Sequence, residues 1–555
     1  MQWLFWRRPV ISFYQPNADR VWLEVEGIKK RWSMRKASKE GEWKVTLWLP
    51  CASLVGRAYH FEVSYDGLTR KVADPLAPCT ERKGDYIESY FGDLEYRFKS
   101  KSFKAPAFKD IVIYETHLPA LSRHPSAEAD SNNQRGTFDC ARSPVLLSHF
   151  QELGVALEFL PLHAHDDFLG RDWGYFSTSF HAFRNSYAQD KVEVNKKVMA
   201  LVDELHGWGI PVILDVVFNH GGELLVRAWG ENVVYRRHDN GDFCHGSGCG
   251  PTIQTEHPLI REVILQTLEY LVNHYQFDGF RFDLGALHDK QTLLAIDQRL
   301  PRRIHLIAEP WALGGTQWGM GDLSGELSDT RWAVWNDDFR ESGKAFVRGH
   351  GDQQSRDLLM TAIAGSHQAD GGWAIKPQQS INYLSSHDGK TLSDQLGGNK
   401  HRVFLAVMLM LTSQGVPMLS EGTELMYTKH GHNNTYDRPD LNQIDWRLAK
   451  KHQDLVKAVA GLIAIRKKFP HFRYITRLFN QQASPKNWDI RWIYPTGYPH
   501  HDNVNAIGFQ LRSPSKWLRG KWRGSTLVVL LNGSDVGVDF SLPAGQWRVI
   551  ADGRQ

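Results

Sequence analysis

Three acidic residues that could carry out chemistry lie in separate strand-like phrases of this 555-residue chain. Asp283 lies in F-D-G-F-R-F-D-L-G, Glu309 in L-I-A-E-P-W and Asp388 in N-Y-L-S-S-H-D-G, and a further phrase, V-I-L-D-V-V-F-N-H, precedes them at residues 212–220. Carboxyl groups that the fold brings together could supply a nucleophile, a proton donor and a group that stabilises the transition state. These are the groups needed to break a bond between two sugars.

The segment from 109 to 470 is predicted to hold these acids on a barrel. Short apolar runs alternate there with longer helical segments, which is typical of parallel strands joined by crossover helices. The runs predicted as strands are residues 111–114, 156–160, 212–217, 279–282, 305–308, 331–335, 381–384 and 417–419. Eight such units predict a (β/α)8 TIM barrel, whose active site forms at the C-terminal ends of the strands. We therefore expect the three acids to converge at one mouth.

Two further regions flank the predicted barrel, so the fold class is multidomain. Residues 1–75 show alternating short strands typical of a β-sandwich, and residues 76–108 are predicted to be a linker. A Gly-rich stretch at about 221–256 is predicted to be an irregular excursion over the barrel mouth. Residues 471–555 are predicted to form a C-terminal β domain, with strands at 505–511, 525–531 and 547–550.

Other polar residues accompany the acids at the same strand ends. Asp215 and His220 end one predicted strand, Arg281 lies in the next, and His387 directly precedes Asp388. Taken singly, each has a simpler explanation, because Asp often caps a helix and His is often a hydrogen-bonded scaffold residue. Because four such clusters follow one another at the ends of four predicted barrel strands, one shared site is favoured over separate structural roles.

The four phrases resemble the four conserved sequence regions of the α-amylase superfamily of glycoside hydrolases and transglycosylases. This resemblance implies that Asp283 is the nucleophile, Glu309 the general acid/base and Asp388 the transition-state stabiliser. A retaining enzyme of this kind places its nucleophile and acid about 5–5.5 Å apart. Because the acid must be protonated at the start, we expect the surroundings of Glu309 to raise its pKa.

The same resemblance implies roles for the accompanying residues. Arg281 would keep Asp283 ionised and correctly aimed, since the two side chains point to the same face of a strand. Asp215 would support Arg281. His220 and His387 would donate hydrogen bonds to the sugar at the cleavage point.

Further phrases resemble isoamylase-type glycogen debranching enzymes: D-W-G-Y at 172–175, E-P-W-A-L-G-G-T-Q-W-G at 309–319, W-N-D-D-F-R at 335–340 and H-D-G-K-T-L-S-D at 387–394. Tyr175 would then be an aromatic platform beneath the sugar, and Trp311 would also bind substrate. Trp173 would either contact the sugar or pack inside the protein. Ala312 departs from the family pattern, which has Asp after E-P-W.

The expected function is therefore a retaining debranching hydrolase that cleaves α-1,6 linkages of glycogen, amylopectin or branched maltodextrins. One alternative is an α-1,4-acting amylase or a trehalose-releasing maltooligosaccharide hydrolase of the same superfamily. Another is a non-catalytic glucan-binding subunit, although the chain keeps all three carboxylates. Debranching and branching enzymes carry a starch-binding-like module before the barrel, and residues 1–75 are expected to be one. Whether this module binds glucan or only packs on the barrel stays open.

Composition excludes several other classes. The net charge of +4 gives no reason to expect binding to nucleic acid, and no apolar stretch approaches a membrane span. The five scattered Cys residues suggest reduced thiols and a cytoplasmic protein. No cofactor is expected: Cys244, His245 and Cys249 fit no common zinc spacing, and the stretch at 221–256 shows no cluster of oxygen ligands for the calcium that many relatives bind.

Overall fold

The N-terminal part of the chain forms antiparallel β-structure. The computed structural model describes residues 9–128, 134–165, 172–188, 190–314, 323–482, 484, 486–496, 504–513 and 524–553. Within these ranges the N-terminal strands are β1 (Val10–Tyr14), β2 (Arg20–Val25), β3 (Trp32–Ser33), β4 (Arg35–Lys36), β5 (Glu42–Thr46), β6 (Ala58–Tyr65), β7 (Leu68–Val72), β8 (Cys79–Lys83) and β9 (Tyr86–Tyr90). One sheet has the order β1-β5-β4, and the other has β3-β2-β6-β9-β8 with β7 also paired to β6.

These two sheets share one apolar core, as a sandwich requires. Strand β2 alternates buried and more exposed side chains, so that one of its faces is turned to the core. The ring of Phe13 in β1 stacks on Phe61 in β6, with ring centroids 4.1 Å apart. The N-terminal β-sandwich predicted from the alternating pattern is present.

The prediction of a linker over 76–108 was wrong for the hairpin of β8 and β9. Cys79 pairs with Tyr90 and Lys83 with Tyr86 in this hairpin, and β9 also pairs with β6, so it extends the larger sheet. The sequence C-T-E-R-K of β8 lacks apolar alternation because the second half of this edge strand is exposed. The hairpin is therefore stabilised by ladder hydrogen bonds that a hydrophobic pattern does not reveal.

The central part of the chain is a closed barrel of parallel strands, which confirms the predicted TIM barrel. Its strands are β10 (Ile113–Thr116), β11 (Ala156–Phe159), β12 (Val212–Val216), β13 (Gly279–Phe282), β14 (His305–Ala308), β15 (Ala333–Trp335), β16 (Ser380–Asn382) and β17 (Val416–Ser420). Each strand pairs with the next, and β17 pairs with β10 to close the cylinder. Apolar side chains such as Ile113, Ile213 and Ile307 fill its interior.

Helices surround this barrel. They are α1 (Leu118–Arg123), α2 (Pro144–Leu153), α3 (Val194–Gly207), α4 (Glu223–Trp229), α5 (Glu231–Val234), α6 (Pro258–Tyr275), α7 (Lys290–Arg299), α8 (Asp337–Arg348), α9 (Gln353–Ile363), α10 (Leu392–Gln395), α11 (Lys400–Thr412), α12 (Arg447–Lys451) and α13 (Gln453–Lys468). Helix α2 shows how sequence sets these limits: the Ser143 hydroxyl accepts from the Leu146 N–H at its start, and Gly154 ends it with a φ of 73°. The excursion at 221–256, expected to be irregular, contains the short helices α4 and α5.

The C-terminal part forms the antiparallel sheet β18 (Ile490–Ile493), β19 (Ala506–Arg512) and β20 (Thr526–Asn532). The predicted strand at 547–550 was wrong, because this stretch joins no ladder among the described residues and Val549 and Ile550 are exposed. An apolar run is a strand only where a neighbour accepts its backbone hydrogen bonds. Across the described part of the chain, no helix has both the length and the apolar character that crossing a bilayer demands.

Candidate active site

One buried guanidinium lies at the centre of the predicted site. Strand β13 places Arg281 and Asp283 on the same face, two residues apart. Nη1 of Arg281 donates to Oδ2 of Asp215 at 2.7 Å and to Oδ1 of Asp283 at 3.3 Å. Nη2 lies 2.9 Å from Oε1 of Glu309, although no N–H of Nη2 is directed at a described acceptor, so this contact is electrostatic rather than a hydrogen bond. Carboxyl groups from three different strand ends thus meet on one cation.

An aromatic ring supports this guanidinium. Trp335, the last residue of β15, is fully buried, and Cζ of Arg281 lies 4.4 Å from its ring centroid. A desolvated cation–π contact of this kind is worth about 2 kcal/mol. The contact fixes the plane of the guanidinium and therefore the positions of the carboxyl groups around it.

Asp283 is oriented by Asn219. The side-chain Nδ2 of Asn219 donates to both Oδ2 and the backbone oxygen of Asp283, each at 2.8 Å. The Asn219 Oδ1 in turn lies 2.6 Å from Nδ1 of His220. Asn219, next to last in the phrase at residues 212–220, therefore links the predicted nucleophile to His220, the last residue of that phrase.

Glu309, at the end of β14, is almost completely buried. Its Oε2 accepts the backbone N–H of Leu284 at 2.7 Å. Burial raises the pKa of Glu309 to about 8; Arg281 opposes this rise, while the negative charges of Asp283 and Asp388 add to it. Such a carboxyl holds its proton at neutral pH, as a general acid must.

Asp388 stands on another wall of the site, exposed to the cleft. Its Oδ1 lies 3.1 Å from Nε2 of the buried His387. The surrounding protein walls desolvate this carboxyl in part and so raise its pKa, but the charge and hydrogen bond of His387 outweigh this and bring the pKa to about 2. Asp388 is therefore a carboxylate at neutral pH.

The W-G-Y phrase contributes two rings with different surroundings. The hydroxyl of Tyr175 donates to Oδ2 of Asp215 at 2.5 Å, and its half-buried ring stacks on His387 with centroids 5.2 Å apart. Trp173 is only 4% exposed, because its ring packs edge-on against His387 and beneath the ammonium group of Lys429. Of the two interpretations left open for Trp173, packing fits its position, whereas Tyr175 keeps an accessible ring.

Trp311 follows Glu309 but lies at the margin of this arrangement. Its half-buried ring packs against Trp335, with centroids 6.0 Å apart, and Cζ of Arg340 lies 5.5 Å from its centroid. The described contacts join Trp311 to the site through Trp335, so its binding of substrate stays a prediction.

Several residues that sequence reasoning missed take part in the site. They are Asn219, Leu284, Trp335, and Glu115, which accepts hydrogen bonds from the backbone N (2.8 Å) and Nδ1 (2.6 Å) of His387. One signal could have revealed Glu115: it is a carboxylate in the otherwise apolar phrase I-V-I-Y-E of the first barrel strand. A charge in such a strand needs a buried partner.

The Cys-His stretch of the Gly-rich excursion, which lies wholly within the described residues, does not form a metal site in the structure. Cys244, His245 and Cys249 do not gather their ligand atoms, and none of the five cysteines forms a disulfide. Among the described residues, one group of potential ligands comes together, at Glu24, His60 and Glu62 on the N-terminal sheet. There Arg31 already pairs with both glutamates.

Comparisons with known proteins place this architecture among enzymes acting on α-glucans. No family model matches the chain. It is 30% identical to the glycogen debranching enzyme of Dickeya chrysanthemi, over 82% of this chain and 76% of that protein. It is 29% identical to a glycogen operon protein GlgX homolog of Mycobacterium bovis, over 85% of this chain and 76% of that protein.

The solved structures that superpose on this chain include pullulanases. The pullulanase from Bacillus acidopullulyticus superposes with a TM-score of 0.83 and 25% identity, covering 97% of this chain and 69% of that one. A pullulanase from Paenibacillus barengoltzii in complex with maltohexaose and α-cyclodextrin gives a TM-score of 0.80 at 25% identity, covering 95% of this chain and 86% of that one.

Proposed function

Since this chain belongs to the α-amylase family of glycoside hydrolases, we propose that it hydrolyses the α-1,6 branch linkages of glycogen, amylopectin or branched maltodextrins. The choice of linkage is supported by the relatives, which are named glycogen debranching enzymes, and by the likeness to pullulanases. The catalytic groups are Asp283, Glu309 and Asp388.

The observation that carries the chemical part of this proposal is the position of Arg281 between Asp283 and Glu309. Two carboxyl groups that contact the two terminal nitrogens of one guanidinium lie within several ångströms of each other. This proximity agrees with the close spacing of about 5–5.5 Å that a retaining glycosidase needs.

In the first step, the ionised Asp283 attacks the anomeric carbon of the glucose at the branch. The bond from that carbon to the bridging oxygen breaks, and Glu309 donates its proton to this oxygen, which leaves as the 6-hydroxyl of the main chain. The product is a glucosyl ester of Asp283 and an ionised Glu309.

In the second step, water attacks the same carbon while Glu309 takes a proton from it. The ester bond to Asp283 breaks, so both carboxyl groups return to their starting states and the released chain keeps its α configuration. Between the covalent states the sugar carries positive charge, which the carboxylate of Asp388 stabilises.

Binding of the sugar at the cleavage point falls to the residues around these acids. The ring of Tyr175 offers an apolar face to the C–H groups of a pyranose. His220 supplies an imidazole group for the sugar hydroxyls, whereas both ring nitrogens of His387 face carboxyl groups, so His387 acts on the sugar through Asp388. The partner is thus a branched α-glucan.

The test is product analysis on amylopectin and on glycogen-derived branched dextrin. Proton NMR follows the α-1,6 anomeric signal, and chromatography follows released chains. Loss of that signal with release of short linear maltooligosaccharides supports the proposal. Unchanged branch content with cleavage of linear maltooligosaccharides, or of their trehalose-ended derivatives, would replace it with an α-1,4-acting hydrolase.

Asp283→Asn is the matched control, since it removes the nucleophile while preserving size. We expect it to abolish turnover and leave glucan binding intact. A wild-type protein that binds glucan but is as inert as this variant on every α-glucan would instead be a binding subunit.

A further inference from the structure

A second carboxylate lies behind His387, on the side away from Asp388. Glu115 belongs to β10 and is buried inside the barrel. Its Oε2 accepts the backbone N–H of His387 at 2.8 Å, and its Oε1 lies 2.6 Å from Nδ1 of the same residue. Both oxygens of Glu115 are therefore used to hold one residue.

The imidazole of His387 thus lies between two carboxyl groups. Nδ1 faces Glu115 at 2.6 Å and Nε2 faces Asp388 at 3.1 Å. A neutral imidazole donates from one nitrogen only, so its other lone pair would face a carboxylate oxygen. Only the imidazolium form donates to both neighbours.

A third carboxyl group lies beside Glu115. Glu158 is its partner in the register between β10 and β11, and it is buried too. Ile113 and Ala156 line the barrel interior, so Glu115 and Glu158, two positions further along each strand, point into the same interior. Oε2 of Glu158 has no hydrogen-bond partner among the described residues.

These two glutamates differ in what surrounds them. Glu115 accepts two hydrogen bonds, one of them from a ring that can carry a positive charge. Burial raises the pKa of Glu158 well above its usual range, and the negative charge of Glu115 adds to this rise. Two adjacent buried carboxylates would repel each other, so one of them keeps its proton.

We propose that Glu115 is a positioning residue for Asp388: it carries the charge that keeps His387 an imidazolium aimed at Asp388, while its neighbour Glu158 remains an uncharged acid. The proposal deepens the function proposed above and rests on it for its effect on turnover. The state of His387 itself can be tested without turnover.

Other groups around His387 also affect the protonation of its ring. The ring of Tyr175 stacks on it and Trp173 meets it edge-on, and neither carries a charge near neutral pH. The ammonium of Lys429 lies 3.5 Å from the backbone oxygen of His387 and opposes protonation of the ring. Arg281 is a further nearby cation, since its Nη1 lies 3.5 Å from the hydroxyl of Tyr175, and the carboxyl group of Asp215 compensates its charge.

Glu115 and Asp388 are thus the carboxylates in direct contact with the ring, against the nearby ammonium of Lys429. Together they raise the pKa of His387 well above its usual range, despite the cost of burial. Without the charge of Glu115, Asp388 alone would have to sustain the imidazolium. The pKa of His387 should then fall.

The test compares Glu115→Gln with Glu158→Gln, which are the same isosteric change at neighbouring positions. In Glu115→Gln, we expect kcat on branched dextrin to fall about tenfold to hundredfold, since Asp388 loses its fixed partner. We also expect a new loss of activity as the pH rises through the lowered pKa of His387. In Glu158→Gln an amide replaces an uncharged acid, so kcat should stay within about twofold, with the wild-type pH profile.

The second readout is the protonation state of His387, followed by ¹⁵N NMR of histidine-labelled protein. Its ring signals are identified by their absence in His387→Gln. We expect both ring nitrogens to be protonated at neutral pH in the wild type and in Glu158→Gln, and one of them to be deprotonated in Glu115→Gln.

Several outcomes would overturn the inference. A neutral His387 ring in the wild type at neutral pH would do so, even if Glu115→Gln fails to fold. So would a Glu115→Gln variant with the wild-type ring state, or a Glu158→Gln variant that shifts the profile as strongly. A wild type without branch-cleaving activity but with the expected NMR states would refute the proposed function and leave the assignment of charge to Glu115 standing.

Discussion

The backbone N–H of Leu284 donates to Oε2 of Glu309 at 2.7 Å, so the residue that follows Asp283 holds the proposed acid in place. Leu284 itself adopts a left-handed conformation, with a φ of 41°, where the chain turns after β13. One peptide therefore sets the positions of the nucleophile and of the acid together. The cost of this conformation for a residue with a Cβ is about 1–2 kcal/mol.

This strain predicts an unusual order of stability at position 284. Both Leu284→Ala and Leu284→Gly remove a buried side chain, which costs about 2–5 kcal/mol. Glycine alone also removes the strain, so we expect Leu284→Gly to be as stable as Leu284→Ala or more stable, although Gly is usually the weaker by about 0.5–1 kcal/mol. Urea unfolding measures the order, and kcat of both variants should stay near wild type because the N–H remains. A clearly less stable Gly variant contradicts the role of the strain.

The pH dependence of hydrolysis should report Glu309. Because burial raises its pKa to about 8, the protonated acid is present below that value and is lost as the pH rises through it. We expect kcat/KM to fall on the alkaline side near pH 8. Glu309→Gln should lower kcat about 10²–10⁴-fold on natural branched dextrin, the usual contribution of general acid–base catalysis. A profile that is flat to pH 10 would argue against Glu309 as the acid.

The two hydrogen bonds from Asn219 to Asp283 should be needed to hold the carboxylate of Asp283 in position for attack. Asn219→Ala leaves the carboxylate of Asp283 free to rotate, and a misplacement of about 1 Å can cost about 10²-fold in rate. Asn219→Asp should be worse, since it adds a like charge beside the nucleophile. Steady-state kinetics should show the loss in kcat, with melting temperatures as the control for folding. An Asn219→Ala variant with wild-type kcat would show that Arg281 alone aims Asp283.

Stability should depend on a buried arginine away from the cleft. Nη1 of Arg466 in α13 donates to the backbone oxygens of Leu411 and Ser413 at 2.8 and 2.7 Å, and Nη2 donates to that of Gly415 at 2.5 Å. These oxygens lie in the last turn of α11 and on its connection to the last barrel strand. Arg466→Met leaves them without a donor, so we expect unfolding to become easier by about 3 kcal/mol or more, at about 1–3 kcal/mol for each carbonyl.

The measurement is the urea midpoint of Arg466→Met, with Arg466→Lys as the matched variant. Lysine keeps the charge but cannot serve all three oxygens, so its loss should be smaller. KM for branched dextrin should be unchanged in both. A midpoint within error of wild type in the Met variant would mean that water replaces the guanidinium.

The barrel was predictable because its strands are short apolar runs buried on both faces. The strand predicted at residues 212–217 corresponds to β12, which spans Val212–Val216. All five residues of β12 are buried, as its largely apolar sequence V-I-L-D-V predicts. The hairpin β8–β9 was missed because its strands are polar and depend on ladder pairing. The stretch at 547–550 has the composition of a strand but joins no ladder in the described structure.

The residues of the candidate site also differ in whether the sequence could reveal them. Asp283, Glu309 and Asp388 could be proposed from the sequence because each lies at or shortly after a strand, within a recognisable phrase. Glu115 and Trp335 could not, because their roles depend on contacts with residues far along the chain. A sequence pattern gives the position of a residue on its own strand, but not which side chain meets it across the barrel.

The shared guanidinium of Arg281 has a consequence over the whole catalytic cycle. When the proposed glucosyl ester forms, Asp283 loses its negative charge, which is one of the causes that raise the pKa of Glu309. The positive charge of Arg281, then shared with Asp215 but no longer with Asp283, acts more strongly on Glu309, so the proton affinity of Glu309 falls at the stage when it must serve as a base. Hydrolysis of the ester restores the charge on Asp283 and, with it, the acidic form of Glu309. The covalent state of one carboxyl group thereby sets the protonation state of the other in each half-reaction.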